Sequence, residues 1–95
     1  MAYEIAYGPG ARADISALRA FDRAQIVEAI ISFLRHEPKR ESKSRIKRRE
    51  PPFWCEFRLR VGEFRVSYDV DDAVSRVSVQ RVLLKGRDTT PGEAP

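Results

Sequence analysis

The chain has 95 residues, which is enough for one small domain with a single core and too few for two. Its 18 Lys and Arg outnumber its 14 Asp and Glu, and the resulting formal charge of +4 suits an anionic partner without naming one. We find no apolar run long enough to span a membrane, no secretory leader and only one cysteine, Cys55, so we predict a cytoplasmic protein without a membrane span, an internal disulfide or a cysteine-based metal cluster.

The first half of the chain has the pattern of one strand followed by two helices. The alternating segment YEIAY (3–7) predicts a short strand, which GPG (8–10) ends. Apolar residues then recur at helical spacing, first Ile15, Leu18 and Phe21, then Ile26, Val27, Ile30, Ile31, Phe33 and Leu34. This predicts a helical hairpin with Asp22 as the N-cap of the second helix and Pro38 beyond its end. His36 is most simply a favourable partner of that helix dipole.

Three alternating segments in the second half, 53–61, 64–70 and 76–80, predict antiparallel strands. Each would carry one apolar face and one wet face. The two helices are the elements available to cover the apolar face. We therefore predict an α+β fold with an N-terminal strand, a helical hairpin and a three-stranded antiparallel meander, the helices packing on one face of the sheet. The domain would span residues 1–88, and 89–95 would form a flexible tail.

The segment FRLRVGEFRVSYDV (57–70) contains two alternating runs that meet at Gly62. A two-residue loop at Gly62 and Glu63 would pair every apolar residue with an apolar partner. The same register places Arg60 directly opposite Arg65, with Arg58 a diagonal step away, and like charges in such positions destabilise a sheet. The simplest account is that the three guanidinium groups bind something negative, and their geometry suits phosphate oxygens. The alternative is an ordinary surface neutralised by nearby Glu56, Glu63 and Asp69.

The segment KRESKSRIKRR (39–49) carries seven basic residues and one acidic residue. It could be a solvated connector. Because it leads into the arginine-bearing strand, we favour one shared surface that binds the backbone of RNA or DNA. The predicted contacts from the two regions are Lys43, Arg45, Lys47, Arg48, Arg49 and Arg60. Only Trp54 offers an obvious stacking aromatic on the wet face, so the sequence predicts phosphate contacts and no base readout.

The succession of elements resembles the RelE/ParE superfamily of bacterial toxins over residues 3–88. The most specific part is RVGEFRVSYDVDD (60–72), which continues the strand WCEFRLR (54–60). The resemblance implies a small α+β toxin that is masked by a cognate acidic antitoxin. The RelE-like branch cleaves messenger RNA in the ribosomal A site, and the ParE-like branch inhibits DNA gyrase.

The RelE-like resemblance implies chemistry without a metal or other cofactor. The 2′-hydroxyl attacks the adjacent phosphate, so a base, an acid and stabilising cations are needed. Arg65 matches the family arginine that contacts the phosphate, and Arg58 falls where a catalytic lysine often lies. Glu56 occupies the position of a second lysine and could serve as the base. Lys85 and Arg87 are the candidates for the late active-site cation.

The C-terminal segment departs from the RelE-like pattern. After Arg87 the sequence DTTPGEAP contains neither the tyrosine nor the histidine common in active RelE-like toxins. RVLLKGRD (81–88) instead resembles the ParE-like pattern RVLHGxRD. We favour ribosome-dependent RNA cleavage slightly over gyrase inhibition, with a catalytically weakened binding protein as the third alternative. In each case we expect an acidic antitoxin encoded next to this gene.

Overall fold

A computed structural model of the chain describes residues 2–49 and 54–85. These residues form two helices and one sheet, in the chain order β1 (Glu4–Tyr7), α1 (Pro9–Ser16), α2 (Ala20–Leu34), β2 (Ile46–Arg48), β3 (Phe57–Val61), β4 (Phe64–Asp71) and β5 (Arg76–Leu84). The strands lie in the order β1-β5-β4-β3-β2, with β1 parallel to β5 and the other pairs antiparallel. The α+β prediction is confirmed, and the basic segment adds a strand, β2, that the sequence analysis did not predict.

The second helix begins earlier than predicted. The assignment of Asp22 as its N-cap is wrong, because α2 starts after Arg19 and Asp22 lies in the first turn, 3.3 Å from the Arg19 Nε. The side chain of Arg23 accounts for the early start. Its guanidinium donates hydrogen bonds to the carbonyls of Ile15 and Ser16, at the end of α1, and of Leu18 in the turn that follows. The carbonyls that end α1 are thereby satisfied, so the chain can turn at once into α2.

The apolar stripe of α2 is narrower than its sequence suggests. Only one line of side chains, Ile26, Ile30 and Leu34, is buried against the sheet. Phe21, Ile31 and Phe33 are 67%, 43% and 37% exposed. Within the described residues, no helix combines the length and the apolar character needed to cross a membrane.

The core lies between the two helices and one face of the sheet. Tyr68 is its largest fully buried side chain, and its ring stacks on Phe57 with 5.6 Å between centroids. The Tyr68 hydroxyl donates a hydrogen bond of 2.5 Å to the carbonyl of Pro38, and burial raises the pKa of this tyrosine. This bond ties the chain that leaves α2 to the centre of the sheet. The remaining core is Ala11, Ile26, Ile30, Leu34, Ile46, Leu59, Val66, Val77, Val79 and Val82.

A β-bulge in β5 keeps its two halves on the same apolar face. Tyr68 faces Val79, whereas the preceding Ser67 faces Arg81, so Gln80 is an extra residue in the register. Strict alternation would have turned Val82 away from the core. With the bulge, Val82 faces Val66 and is only 4% exposed.

The wet face of the sheet is less exposed than predicted. Arg65 is 5% exposed and Ser67 is fully buried, although both were expected to face solvent. Ser67 lies between Arg58 of β3 and Arg81 of β5 in the register of the sheet. Because β4 is the central strand, the long side chains of its neighbours can cover its polar residues. Phe53, Arg87 and the predicted tail 89–95 lie outside the described residues.

Candidate nucleic-acid interface

The hairpin of β3 and β4 has the predicted register. Gly62 begins the two-residue loop with φ +57°, a backbone conformation that glycine adopts at little energetic cost. A Cβ added there would meet nothing within 4 Å, so the backbone, and not space, demands glycine. Arg60 faces Arg65 directly, and Arg58 faces Ser67, one diagonal step from Arg65. The hairpin therefore holds three guanidinium-bearing residues on neighbouring positions.

The basic segment is part of the sheet and not a loose connector. In β2, Lys47 lies directly opposite Arg58 of β3. The Arg60 amide donates a hydrogen bond of 2.7 Å to the Arg45 carbonyl, and the Arg45 Nη1 donates to the Arg60 carbonyl at 3.3 Å. Ile46 secures this strand because it is buried opposite Leu59. The cations of the two segments thus lie together.

These cations line a small cleft of about 60 Å³, here called the basic cleft. Among residues 2–49 and 54–85, nine line it, of which six are lysine or arginine and none is acidic. The lining comprises Ser42, Lys43, Ser44, Arg45, Ile46, Lys47, Arg58, Arg60 and Arg65. A cavity with this lining favours an anion, and a phosphate group offers the oxygens that guanidinium forks match.

The carboxylates of Glu56, Asp69 and Glu63 do not form ion pairs with the described cations of the basic cleft. Glu56 Oε1 accepts a hydrogen bond of 3.1 Å from the Val70 amide, and Asp69 Oδ1 accepts one of 2.8 Å from the Glu56 amide. Burial is the largest cause of the raised pKa of Asp69, and the adjacent Glu56 charge adds to it. Over 2–49 and 54–85, neither these two carboxylates nor that of Glu63 forms an ion pair with an arginine. The neutralised-surface alternative is therefore wrong for these three groups.

Arg65 is held in one orientation by the hairpin loop. Its Nη1 donates hydrogen bonds of 3.1 Å to the carbonyls of Gly62 and Phe64. The side chain is buried yet still contributes to the wall of the basic cleft. A cation fixed in this way loses little conformational entropy when an anion binds. The geometry suits a group that positions a phosphate.

Comparison with known proteins identifies the fold. No protein-family model matches the chain, and no curated protein matches it. Among solved structures, the RelBE2 toxin–antitoxin complex from Mycobacterium tuberculosis is 27% identical, covers 90% of this chain and 100% of its own, and has a TM-score of 0.75. The chain therefore resembles RelE toxins of type II toxin–antitoxin systems in fold and sequence.

Two more distant structures share the fold of this RelE-like chain. The archaeal RelE–RelB complex from Pyrococcus horikoshii OT3 is 20% identical, covers 92% of this chain and 99% of its own, and has a TM-score of 0.73. A double mutant of the Escherichia coli toxin RelE in the free state is 21% identical, covers 94% and 88%, and has a TM-score of 0.70. The family resemblance predicted from the sequence is confirmed.

Several residues predicted for the site lie elsewhere in this RelE-like chain. Glu56 does not line the basic cleft, since its carboxylate is bound by the β4 backbone. The Arg48 guanidinium lies 5.6 Å from the centre of the Phe57 ring, which belongs to the apolar face. Arg49 and Trp54 are half-buried and also do not line the cleft. Of the six predicted nucleic-acid contacts, Lys43, Arg45, Lys47 and Arg60 do line it.

The late cation is only partly located. The Lys85 amide donates a hydrogen bond of 2.8 Å to the carbonyl of Glu63, which places the end of β5 against the hairpin loop. Lys85 is exposed and does not itself line the basic cleft. Since Arg87 lies outside the described residues, the choice between these two cations stays a prediction.

Ser42 was missed by the sequence analysis. Its Oγ accepts hydrogen bonds from the amides of Arg45 and Ile46, at 3.1 and 3.3 Å, and its own amide donates to the Ile46 carbonyl at 2.9 Å. This serine turn presents Lys43 and Arg45 to the cleft. The available signal was a serine placed three residues before Arg45, a spacing at which a hydroxyl can bind backbone amides.

A larger groove of about 460 Å³ lies on the other side of the 42–46 segment. His36 and Phe33 line it, and the two cavities share Ser42, Ser44, Arg45 and Ile46. The Arg45 guanidinium lies 5.2 Å from the centre of the Phe33 ring, a cation–π contact that connects β2 to α2. His36 therefore lines this larger groove and not the basic cleft.

Proposed function

We propose that this toxin cleaves messenger RNA on the ribosome and that the basic cleft holds the scissile phosphate. One observation supports this above the others: among the residues that the structure describes, six lysines and arginines and no acidic residue line the cleft. Arranged cations of this kind stabilise the negative charge that develops when a phosphate is attacked.

In the proposed reaction, the 2′-oxygen of the ribose forms a bond to phosphorus while the bond from phosphorus to the 5′-oxygen breaks. Arg65 would orient the phosphate, because the hairpin loop already fixes its guanidinium. Arg58 and Arg60 would share the charge of the crowded phosphorus centre. With Glu56 outside the cleft, Lys43 and Lys47 are the cleft residues able to exchange a proton. Lys85, directly after β5, and Arg87 stay the candidates for the late cation.

We propose a short acidic antitoxin as the physiological partner. The structures from M. tuberculosis, P. horikoshii and Methanococcus jannaschii are complexes of a RelE toxin with a RelB antitoxin. An acidic chain would satisfy the same cations that RNA requires, and so would keep the toxin inactive.

Inhibition of DNA gyrase is the second candidate, and RVLLKGRD (81–88) favours it. Part of this motif has a structural role, because the Arg81 Nε donates to the Asp14 carboxylate at 2.7 Å and joins β5 to α1. A supercoiling assay with purified gyrase tests this candidate. Unchanged supercoiling at high toxin concentration would remove it.

Toeprinting on translating ribosomes tests the proposed RNA cleavage. We expect cuts in the A-site codon, reduced by about 10²-fold or more in Arg65→Ala, the size of effect seen when one transition-state donor is removed. Arg76→Ala is the matched control, because Arg76 is an exposed strand arginine already paired with Glu4 at 2.7 Å. No cleavage at any dose, or equal losses in the two variants, would contradict the proposal. Growth arrest that Arg65→Ala relieves would also exclude a purely binding role.

A further inference from the structure

The basic cleft offers partners for the phosphate of a nucleotide and none for its base. Among the described residues, no aromatic side chain lines the cleft, and its six cations suit phosphate oxygens. Proteins that hold single-stranded nucleic acid combine such cations with aromatic side chains on which the bases stack. A base attached to a phosphate in the cleft therefore needs a partner nearby.

The larger groove adjoins the basic cleft. Both are lined by the 42–46 segment, through Ser42, Ser44, Arg45 and Ile46. The groove, at about 460 Å³, falls in the range of roughly 300–1,000 Å³ that is typical of small-molecule sites. The cleft, at about 60 Å³, is far smaller and suits a single phosphate group. Because one ribose joins a phosphate to its base, a nucleotide bound in the cleft can reach the groove with its base.

Phe33 gives the larger groove an aromatic wall. It lies near the end of α2, is 37% exposed and is not one of the residues that pack in the core. The Arg45 guanidinium lies 5.2 Å from the centre of its ring. Aromatic rings and guanidinium planes are the surfaces on which unpaired bases stack. An exposed phenylalanine in this position is therefore suited to contact a base.

Arg45 connects the groove to the cleft. Its Nη1 donates a hydrogen bond of 3.3 Å to the Arg60 carbonyl in β3, while the same guanidinium packs on the Phe33 ring. Its backbone is also fixed, because the Arg45 amide donates to the Ser42 Oγ at 3.1 Å. A side chain held in this way loses little conformational freedom when a ligand binds.

The charge and the polar groups of the larger groove also suit a nucleotide. Among the described residues, Glu37 is the one carboxylate that lines it, and Glu37 is paired with Arg40 at 2.8 Å. Arg45 leaves the groove positive, so the phosphates of the same strand are not repelled. The Ser32 hydroxyl and the His36 imidazole belong to the lining, and both groups form the kind of hydrogen bonds that base edges require.

We propose that the larger groove is a base subsite, in which a nucleotide whose phosphate occupies the basic cleft packs its base against the Phe33 ring and the Arg45 guanidinium. This inference rests on the proposed function and deepens it, because it names where the base beside the bound phosphate lies. Stacking accepts any base, so the subsite adds affinity and orientation without selecting a sequence.

Two oligonucleotides that cannot be cleaved test the subsite. Both are 2′-O-methyl hexanucleotides, which lack the attacking hydroxyl, and one carries bases while the other is abasic at every position. We expect the full chain to bind the base-bearing strand about tenfold more tightly, as for one stacked base. In Phe33→Ala this preference should disappear, because the stacking surface is removed. The affinity of Phe33→Ala for the abasic strand should stay close to that of the natural chain.

Two further variants control for the fold. Phe21→Ala is the matched control, because Phe21 is also an exposed phenylalanine of α2 and lines neither cavity. It should keep the tenfold preference. Phe33→Trp retains a stacking surface and should keep the preference as well. A loss that is confined to Phe33→Ala then reports the missing ring and not a disturbed helix.

The salt dependence of binding separates a base subsite from a phosphate site. We expect Phe33→Ala to weaken binding of the base-bearing strand by the same factor at every salt concentration, because a stacked base releases no counterions. A smaller salt slope in Phe33→Ala would show that Phe33 acts on a phosphate contact through Arg45, and would overturn the subsite.

The remaining outcomes are also decisive. Equal binding of the two strands by the natural chain, or the same preference in the natural chain and in Phe33→Ala, would overturn the subsite and leave the proposed cleavage in place. If neither strand binds, the inference fails, and toeprinting decides the cleavage separately. An unchanged base preference together with weaker antitoxin binding in Phe33→Ala would assign the groove to the antitoxin and overturn the RNA assignment.

Discussion

Arg60 and Arg65 are direct cross-strand partners, separated along the chain by Val61, the two-residue loop and Phe64. One strand away, Lys47 faces Arg58 in the same manner. Opposed like charges destabilise a sheet by a few tenths to about 1 kcal/mol for each pair. The protein therefore folds in spite of this cluster, and an anion bound in the basic cleft would relieve the repulsion.

Removing one member of the opposed pair should stabilise the fold. We expect Arg60→Thr to raise the free energy of unfolding by roughly 0.5 kcal/mol, since it ends one like-charge contact, while RNA cleavage falls. Urea denaturation measures the change. Arg76→Thr is the control for strand propensity, because it removes an arginine that is paired with Glu4. If Arg60→Thr proves no more stable than Arg76→Thr, the repulsion is not significant.

The loop glycine should be required for its backbone conformation. We expect Gly62→Ala to lower the free energy of unfolding by about 1 kcal/mol, because a side chain disfavours positive φ. Glu63→Ala, at the next loop position, should change stability by less than about 0.5 kcal/mol. Denaturation curves of the two variants decide the point, and similar losses would show that the loop does not depend on glycine.

Binding of single-stranded RNA should depend on salt through the lysines of the basic cleft. We expect Lys47→Ala to reduce the slope of log affinity against log salt by about 0.7, the value for one phosphate contact on a single strand. A 2′-O-methyl oligonucleotide, which cannot be cleaved, allows the affinity to be measured. Lys39→Ala is the control, because the Lys39 Nζ is bound to Asp72 at 2.5 Å. An unchanged slope for Lys47→Ala would place the phosphate elsewhere.

Acid should weaken the contacts that Asp72, in the β4–β5 turn, makes with Tyr3 and Lys39. Tyr3 precedes β1, and Lys39 follows α2. Asp72 accepts hydrogen bonds from Lys39 Nζ at 2.5 Å and the Tyr3 hydroxyl at 2.7 Å, and these two donors hold its pKa below the ordinary value. A lowered folded pKa stabilises the fold above the unfolded pKa of about 4, and this contribution is lost as pH falls through the folded pKa.

The thermal midpoint of the natural chain should therefore fall more steeply between pH 6 and pH 3, roughly, than that of Asp72→Asn. The comparison of the two curves also removes the opposing effect of Asp69, whose pKa is raised in both proteins. Parallel curves would mean that the Asp72 contacts do not contribute to stability.

The sequence alone was sufficient for the β3–β4 hairpin and its arginines. Two alternating runs that meet at Gly62 permit one register that keeps every apolar residue on the same face, and a slip by one residue would expose them all. The opposition of Arg60 and Arg65 follows from that register. The α+β class likewise followed from the change of apolar period between residues 30 and 57.

The sequence alone could not predict which segments distant in the chain pair with each other. β2 is only three residues long, and two of the three are charged. It pairs as a strand because Ile46 is buried opposite Leu59. Arg48 alternates with Lys47, so pairing sends it to the apolar side, away from the cleft. Glu56 was a plausible base until the fold placed the Val70 amide against it.

Local sequence determined which side chains share a face of each segment, because strand alternation and helical periodicity are properties of the backbone itself. Only the tertiary structure decided which segments became neighbours and how deeply Arg65 and Ser67 are buried. Those outcomes depend on contacts between residues far apart in the chain, such as Glu4 with Arg76 and Glu41 with Arg48, whose formation no local pattern encodes.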